Sequence, residues 1–214
     1  MAKQALRLGV FGGTFNPIHN AHLMLAEDVR EEFFLDNLLF IPTNLPPHKR
    51  VAGGIDPAHR LRMVQLAIQH NPHFQCDDIE LKRKGVSYTV ETVKYLYEKY
   101  GLDEKPHLII GSDLVGEIDT WKKIETLAQR VHFIVLLRDG YPVEENRRLP
   151  RTLPGFSWYY FEKRKIAITS SEIRERVKTG RSIRYLVPET VLDYIRENKL
   201  YQPGLDRKSK GRGL

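Results

Sequence analysis

His19 and His22 stand three residues apart in the stretch Gly12-Gly13-Thr14-Phe15-Asn16-Pro17-Ile18-His19-Asn20-Ala21-His22. On a helical turn, side chains at that spacing point the same way, so two imidazoles share a face directly after a glycine turn. The glycines follow an apolar run over residues 6–11, and the histidines lead into a helical pattern over 21–34. A strand, a glycine turn and a helix start together bring backbone N–H groups up to a phosphate. Glycine has no Cβ to hold a ligand away, and Asn16-Pro17 keeps the chain from entering the helix early. The chemistry implied is anion binding by Gly12, Gly13, Thr14 and Phe15, with His19 and His22 beside the anion. For Gly-Gly alone, an ordinary turn with two surface histidines is the alternative. Neither G-x-G-x-x-G nor G-x-x-x-x-G-K-[ST] occurs. Cys76 is the only cysteine, and no paired Cys/His spacing answers the histidines, which argues against a zinc site.

Four further stretches carry chemistry. In Pro42-Thr43-Asn44-Leu45-Pro46-Pro47-His48-Lys49 the prolines stiffen a loop that presents His48 and Lys49 to an anion; a rigid surface loop with solvated charges is the alternative. Ser87-Tyr88-Thr89 precedes a helix expected over 89–100. Ser87 or Thr89 there is an ordinary N-cap, and free N–H groups at the same helix start hold a carboxylate. Gly111-Ser112-Asp113 follows a short apolar run, placing Asp113 either to accept from ribose hydroxyls or to cap the next helix. Trp121, eight residues on, is either core or a stacking platform for an aromatic ring. In Ile168-Thr169-Ser170-Ser171-Glu172-Ile173-Arg174, hydroxyls at a helix start one turn before Arg174 form a second anion site. A capping box around Ser170 or Ser171 is compatible with the same residues.

The elements that must position these groups alternate along the chain. Strands are expected over 6–11, 37–41, 74–81, 107–110, 131–137 and 158–161. Helices are expected over 21–34, 58–70, 89–100, 171–178 and 188–198, with Leu61, Val64, Leu66 and Ile68 as the apolar stripe of the second. Alternation of this kind predicts an α/β fold, a Rossmann-like doubly wound parallel sheet with a small C-terminal helical part. In such sheets ligands sit beyond the strand C-termini, so loops at Gly12, Pro42 and Gly111 converge there. Residues 1–206 are expected to form a single domain, with its helical C-terminal portion at about 168–202 and a disordered basic tail over 207–214.

Composition bounds the rest. The chain has 214 residues, 41% hydrophobic and 29% charged, which suits a globular core. No run approaches the roughly 18 apolar residues of a membrane span, and the N-terminus shows no long apolar segment of the signal-peptide kind. One cysteine forbids an intrachain disulfide, so a cytoplasmic setting and no membrane partner are expected. The net charge is +7, but Arg207, Lys208, Lys210 and Arg212 lie in the tail, so removing them leaves only +3. That surplus suits phosphorylated substrates and is too small to demand nucleic acid. The composition leaves a homo-oligomer open.

The motif G-G-T-F-N-P-x-H-x-x-H resembles the first motif of the nucleotidyltransferase superfamily, usually G-G-T-F-D-P-x-H-x-G-H, and departs from it at Asn16 and Ala21. With the proline loop, the Ser-Tyr-Thr turn, Trp121, residues 168–174 and the closing Arg184-Tyr185-Leu186-Val187-Pro188, the chain resembles bacterial nicotinate-nucleotide adenylyltransferases from residue 6 to about 202. That resemblance implies AMP transfer from ATP to nicotinate mononucleotide, giving deamido-NAD and pyrophosphate in NAD biosynthesis. It implies catalytic roles for His19, His22 and Lys49. ATP would be bound by Gly12, Gly13, Thr14, Phe15, His19, His22, Gly111, Asp113, Ser170, Ser171 and Arg174. Thr14, His48, Lys49, Ser87, Tyr88, Thr89, Asp113 and Trp121 would bind the mononucleotide. Mg²⁺ would arrive with ATP, without dedicated protein ligands. Phosphopantetheine adenylyltransferase and cytidylyltransferases share the first motif without the Pro46-Pro47-His48-Lys49 loop. A basic nucleic-acid-binding module is the rival from another class.

Overall fold

A computed structural model describes residues 5–44, 55–83, 85–137, 156–164 and 166–203. Its strands are β1 (Leu8–Gly13), β2 (Asn37–Pro42), β3 (Phe74–Cys76), β4 (His107–Gly111), β5 (His132–Leu136) and β6 (Trp158–Phe161). They form one parallel sheet in the order β3-β2-β1-β4-β5-β6. The described helices are α1 (Asn20–Glu32), α2 (Pro57–Ile68), α3 (Ile79–Arg83), α4 (Thr89–Tyr100), α5 (Ile124–Ala128), α6 (Ser170–Lys178) and α7 (Glu189–Glu197), with a 3₁₀ segment over Ser112–Thr120. The winding reverses between β1 and β4, and a doubly wound sheet opens a crevice for ligands at that point.

Period-two alternation explains why the strands read as unbroken apolar runs. Side chains of a strand point to alternate faces, and both faces are covered here. Phe11, Phe40, Ile109, Ile134 and Leu136 face one core with α1, α2, α6 and α7, where Val29, Met63, Ile173 and Ile195 pack against them. Val10, Leu39, Ile41, Leu108, Ile110, Phe133 and Val135 face the other, with Val93 and Leu96 of α4 and Leu127 of α5. The register aligns Gly13 with Pro42 and Gly111 with Leu136, so the strand C-termini end on a common edge. Among the described residues no helix is long and apolar enough to cross a membrane.

Three expectations need correction. The strand expected over 74–81 stops at Cys76, and α3 begins at Ile79. Asp77 turns the chain there: its Oδ1 accepts the Ile79 N–H at 2.9 Å, an Asx-turn that competes with extension. The buried face of α2 is Arg60, Met63, Val64 and Ile68, so Leu61 and Leu66 sit beside it. Pro188 precedes α7 as its N-cap, one residue before the first turn. The 3₁₀ segment and α5 have no range among the expectations, which only leave open a helix after Asp113.

At the opposite end of the sheet, His107 and His132 are paired in the β4–β5 register, with ring centroids 5.1 Å apart. Burial, with His132 and Arg7 nearby, pulls His107 down to about 4, against roughly 6.5 in an unfolded chain. As pH falls below 6.5 the unfolded chain takes up a proton that the folded one refuses. Stability present above pH 6.5 is therefore lost as pH falls toward 4. Urea midpoints of His107→Phe, measured from pH 7 to 4, should decline less steeply than those of the wild type; parallel declines would discard this account.

Candidate active site

The loop after β1 has its carbonyls held by side chains from α2 and α6. Arg60 Nη1 donates to Thr14 O at 2.7 Å, Arg174 Nη1 to Asn16 O at 2.8 Å, and Ser170 Oγ to Pro17 O at 2.9 Å. Tyr201 adds its hydroxyl to Asn16 Oδ1 at 2.7 Å. In a trans peptide the N–H opposes the C=O. The Phe15 N–H therefore points away from Arg60, and both Thr14 and Phe15 line a cavity. Phe15 holds a left-handed backbone with φ 45°, which is uncommon for a side chain of its size. Its ring secures it, packed edge-on against Phe11 and His22 with centroids 5.7 and 5.2 Å away.

The two histidines take different places. His19 is the N-cap of α1, and its N–H donates to His22 Nδ1 at 3.2 Å. Since Nδ1 accepts, the proton of a neutral His22 ring sits on Nε2. The rings stack with centroids 3.6 Å apart. His22 lines the cavity, whereas His19 is 5% exposed and lies behind it.

The cavity, of about 850 Å³, lies beyond the ends of β1 and β4 and brings distant stretches together. Gly12, Gly13, Thr14, Phe15, His22 and Ser170 line one part of it. Gly111 and Asp113 contribute from the end of β4 and the start of the 3₁₀ segment. Ser87, Tyr88, Thr89 and Trp121 line another part. Tyr88 is the N-cap of α4 and makes no side-chain cap, so the first-turn N–H groups of Thr89 and Val90 have no intrahelical acceptor. Ser87 does not cap this helix; its Oγ accepts the Asn44 N–H at 3.3 Å. Lys122 steadies this end, with Nζ 2.7 Å from Glu91 Oε1 and 4.1 Å from the Tyr88 ring centroid. Trp121 closes the 3₁₀ segment, its N–H donating to Ile118 O.

The expected second anion site is only partly on the wall. Thr169 is the N-cap of α6, with Oγ1 accepting the Glu172 N–H at 3.1 Å; this corrects the expected cap at Ser170 or Ser171. Ser170 reaches the cavity. Ser171 and Arg174 do not line it; Arg174 Nη2 donates to Ser171 Oγ at 3.1 Å while Nη1 holds Asn16 O. His48 and Lys49 lie outside the described residues.

Three residues went unread in the sequence. Arg60 is wholly buried behind the loop; a charge at the i−3 and i−4 positions of Met63 and Val64, on the apolar face of α2, was the available signal. Glu80 lines the cavity with its carboxyl buried; Thr92 Oγ1 donates to Oε1 at 2.8 Å and itself accepts from Arg83 Nη2 at 2.7 Å. Burial pushes the Glu80 carboxyl up, with Thr92 opposing the shift. Tyr201 had no sequence signal.

Comparison with known proteins finds a family model described as cytidylyltransferase-like matching residues 10–176. A protein of Desulfitobacterium hafniense (strain Y51), named "Probable nicotinate-nucleotide adenylyltransferase", is 43% identical over 199 residues, covering 92% of this chain and 96% of that one. A protein of the same name from Moorella thermoacetica is 41% identical over 203 residues, covering 94% of each. Among solved structures, Plasmodium falciparum nicotinic acid mononucleotide adenylyltransferase complexed with NaAD shares the fold at a TM-score of 0.73 and 21% identity, over 92% of this chain and 97% of that one.

The two glycines should respond differently to alanine. A Cβ on Gly13 would lie 2.9 Å from the buried Phe15 ring, whereas one on Gly12 meets nothing within 4 Å. Gly13→Ala should lower unfolding stability by about 1–3 kcal/mol through overpacking. Gly12→Ala should keep its stability within about 0.5 kcal/mol while its methyl intrudes on ligand space. Chemical denaturation checks both.

Proposed function

Because the chain belongs to the nicotinate-nucleotide adenylyltransferase family, we propose that it transfers the adenylyl group of ATP to nicotinate mononucleotide, yielding nicotinate adenine dinucleotide and pyrophosphate. The observation that carries this reading is one cavity holding a phosphate-type loop with His22 and, on another part of its wall, a helix start beside an indole. The mononucleotide phosphate attacks the α-phosphorus of ATP; one P–O bond forms as the bond to pyrophosphate breaks. That phosphate is already ionised at neutral pH, so no general base is required. Rate enhancement then comes from positioning and from donors aimed where charge develops.

His22 Nε2–H, the N–H groups of Thr14 and Phe15 and the Thr14 hydroxyl serve the α-phosphate and the charge growing on it. His19 acts from behind, through its N–H to His22 Nδ1. The N–H groups of Ser170 and Ser171, at the start of α6, hold the β- and γ-phosphates, while the Ser170 hydroxyl and Arg174 support the loop through Pro17 O and Asn16 O. Lys49 and His48 are assigned to the phosphates where the two substrates meet. Asp113 accepts from ribose hydroxyls. Trp121 stacks on the pyridine ring, and the N–H groups of Thr89 and Val90 take its carboxylate. Mg²⁺ enters as part of the ATP substrate, held by phosphate and water.

Pyrophosphate release from ATP and nicotinate mononucleotide, with CTP and nicotinamide mononucleotide as comparison substrates, tests the reaction. His22→Ala should lower kcat by roughly 10²–10³; near-normal turnover would remove it from the centre of the mechanism. Trp121→Ala should raise KM for the mononucleotide about tenfold, in line with the worth of one stacked ring, and leave KM for ATP little changed. Equal shifts in both constants would refute the stacking role.

A further inference from the structure

Arg60 is the least expected side chain near the cavity. It is fully buried, yet no carboxylate among the described residues pairs with it within ion-pair distance. Its guanidinium is held by backbone carbonyls: Nη1 donates to Thr14 O and Thr43 O, both at 2.7 Å, and Nη2 to Asn44 O at 3.4 Å. Burying a cation without a counter-ion is costly, and burial draws its pKa below the ordinary value, only partly offset by Tyr201 and Asp56. A methionine or leucine would fill the same face of α2 at lower cost, so packing alone does not explain it.

The two carbonyls that Arg60 holds most closely, at 2.7 Å, belong to two particular peptides. Thr14 O shares its peptide with the Phe15 N–H, which opposes it and belongs to the phosphate loop. Thr43 O shares its peptide with the Asn44 N–H, which donates to Ser87 Oγ at 3.3 Å. Asn44 Nδ2 adds a bond to Gly85 O at 3.1 Å. One planar, multi-donor group thus ties the turn that meets polyphosphate to the turn that meets the pyridine end. A guanidinium offers the fixed fork that such bridging needs, and an ammonium does not.

We propose that Arg60 is a positioning residue that couples the two substrate ends, acting on ATP through the Thr14–Phe15 peptide and on the mononucleotide through Asn44 and Ser87. The proposal rests on the transferase reading above. Arg60 touches neither substrate; it fixes the spacing of the amides that do, and its charge polarises both peptides in the sense that strengthens their N–H donors.

The test uses the full-length protein. Arg60→Lys keeps the charge but cannot span the three carbonyls. It should raise KM for ATP and for the mononucleotide together, each about fivefold or more, the lower end of ordinary coupling between sites. Its kcat should fall about tenfold, and its ligand-free melting temperature should stay within about 5 °C of the wild type. Ser87→Ala should raise only the mononucleotide KM, and adding Arg60→Lys to it should not raise that KM further, because both act along one path. Arg60→Lys constants within about threefold of the wild type, a rise confined to one substrate, or full additivity in the double variant overturns the proposal. A purely structural Arg60 would lower the melting temperature and leave both KM values of the folded fraction unchanged.

A calorimetric arm needs no turnover. In the wild type, an α,β-methylene analogue of ATP should tighten mononucleotide binding about fivefold, and in Ser87→Ala this tightening should vanish; equal coupling in both proteins overturns the proposal. Absence of pyrophosphate release by the wild type defeats the transferase reading instead; the same titration run on Arg60→Lys, in which the tightening should also vanish, then decides the role of Arg60, and coupling equal to that of the wild type overturns it.

Discussion

The active-site crevice depends on which way a few peptide groups face. Residues 14–17 follow β1, and Thr14 and Phe15 of that loop line the crevice. Arg60, Arg174 and Ser170 hold the carbonyls of Thr14, Asn16 and Pro17 by hydrogen bonds. The loop is held by three hydrogen bonds from two helices, α2 and α6, so its backbone is set before any ligand arrives. Such preorganisation matters because no donor must be reoriented as charge develops.

This clamp is possible only where the sheet reverses its winding. β1 and β4 are neighbours, and the chain leaves them toward opposite faces. α1, α2 and α6 pack on one face, and α2 and α6 supply the clamp; α4, the 3₁₀ segment and α5 pack on the other, where Tyr88, Thr89 and Trp121 line the cavity. The crevice between takes one contribution from each layer. β2 joins them, since the residues just after it accept from Arg60 on one side and donate to Ser87 on the other.

Buried charge is handled in two ways. Asp77, at the turn after β3, is buried and paired with Lys99 at 2.7 Å, while Tyr95 adds its hydroxyl; this is ordinary compensation. Arg60 has carbonyl dipoles in place of an ion-pair partner among the described residues, with Asp56 acting on it from farther off. Glu80 is intermediate: its buried carboxyl receives Thr92, whose hydroxyl is itself oriented by Arg83. The cation thus stands behind the loop of residues 14–17, and the buried carboxyl lies near residues 87–89.

The sequence by itself determined the parallel α/β sheet, because runs buried on both faces are written directly in composition: α4 over Thr89–Tyr100 and β6 over Trp158–Phe161 match expectation to the residue. It also determined which loops meet, since every parallel strand ends on the same edge. Short polar turns were harder. Asp77 ended β3 early through a local hydrogen bond that competes evenly with extension, and Thr169, in place of its serine neighbours, capped α6. Only the tertiary structure separated His22 on the wall from His19 behind it. Only the tertiary structure turned Arg174 toward Asn16 O, and only it placed Arg60 beneath two loops distant in sequence. Periodicity reports which face a residue occupies, whereas the partner of a long polar side chain is set by distant segments that meet only when the sheet has formed.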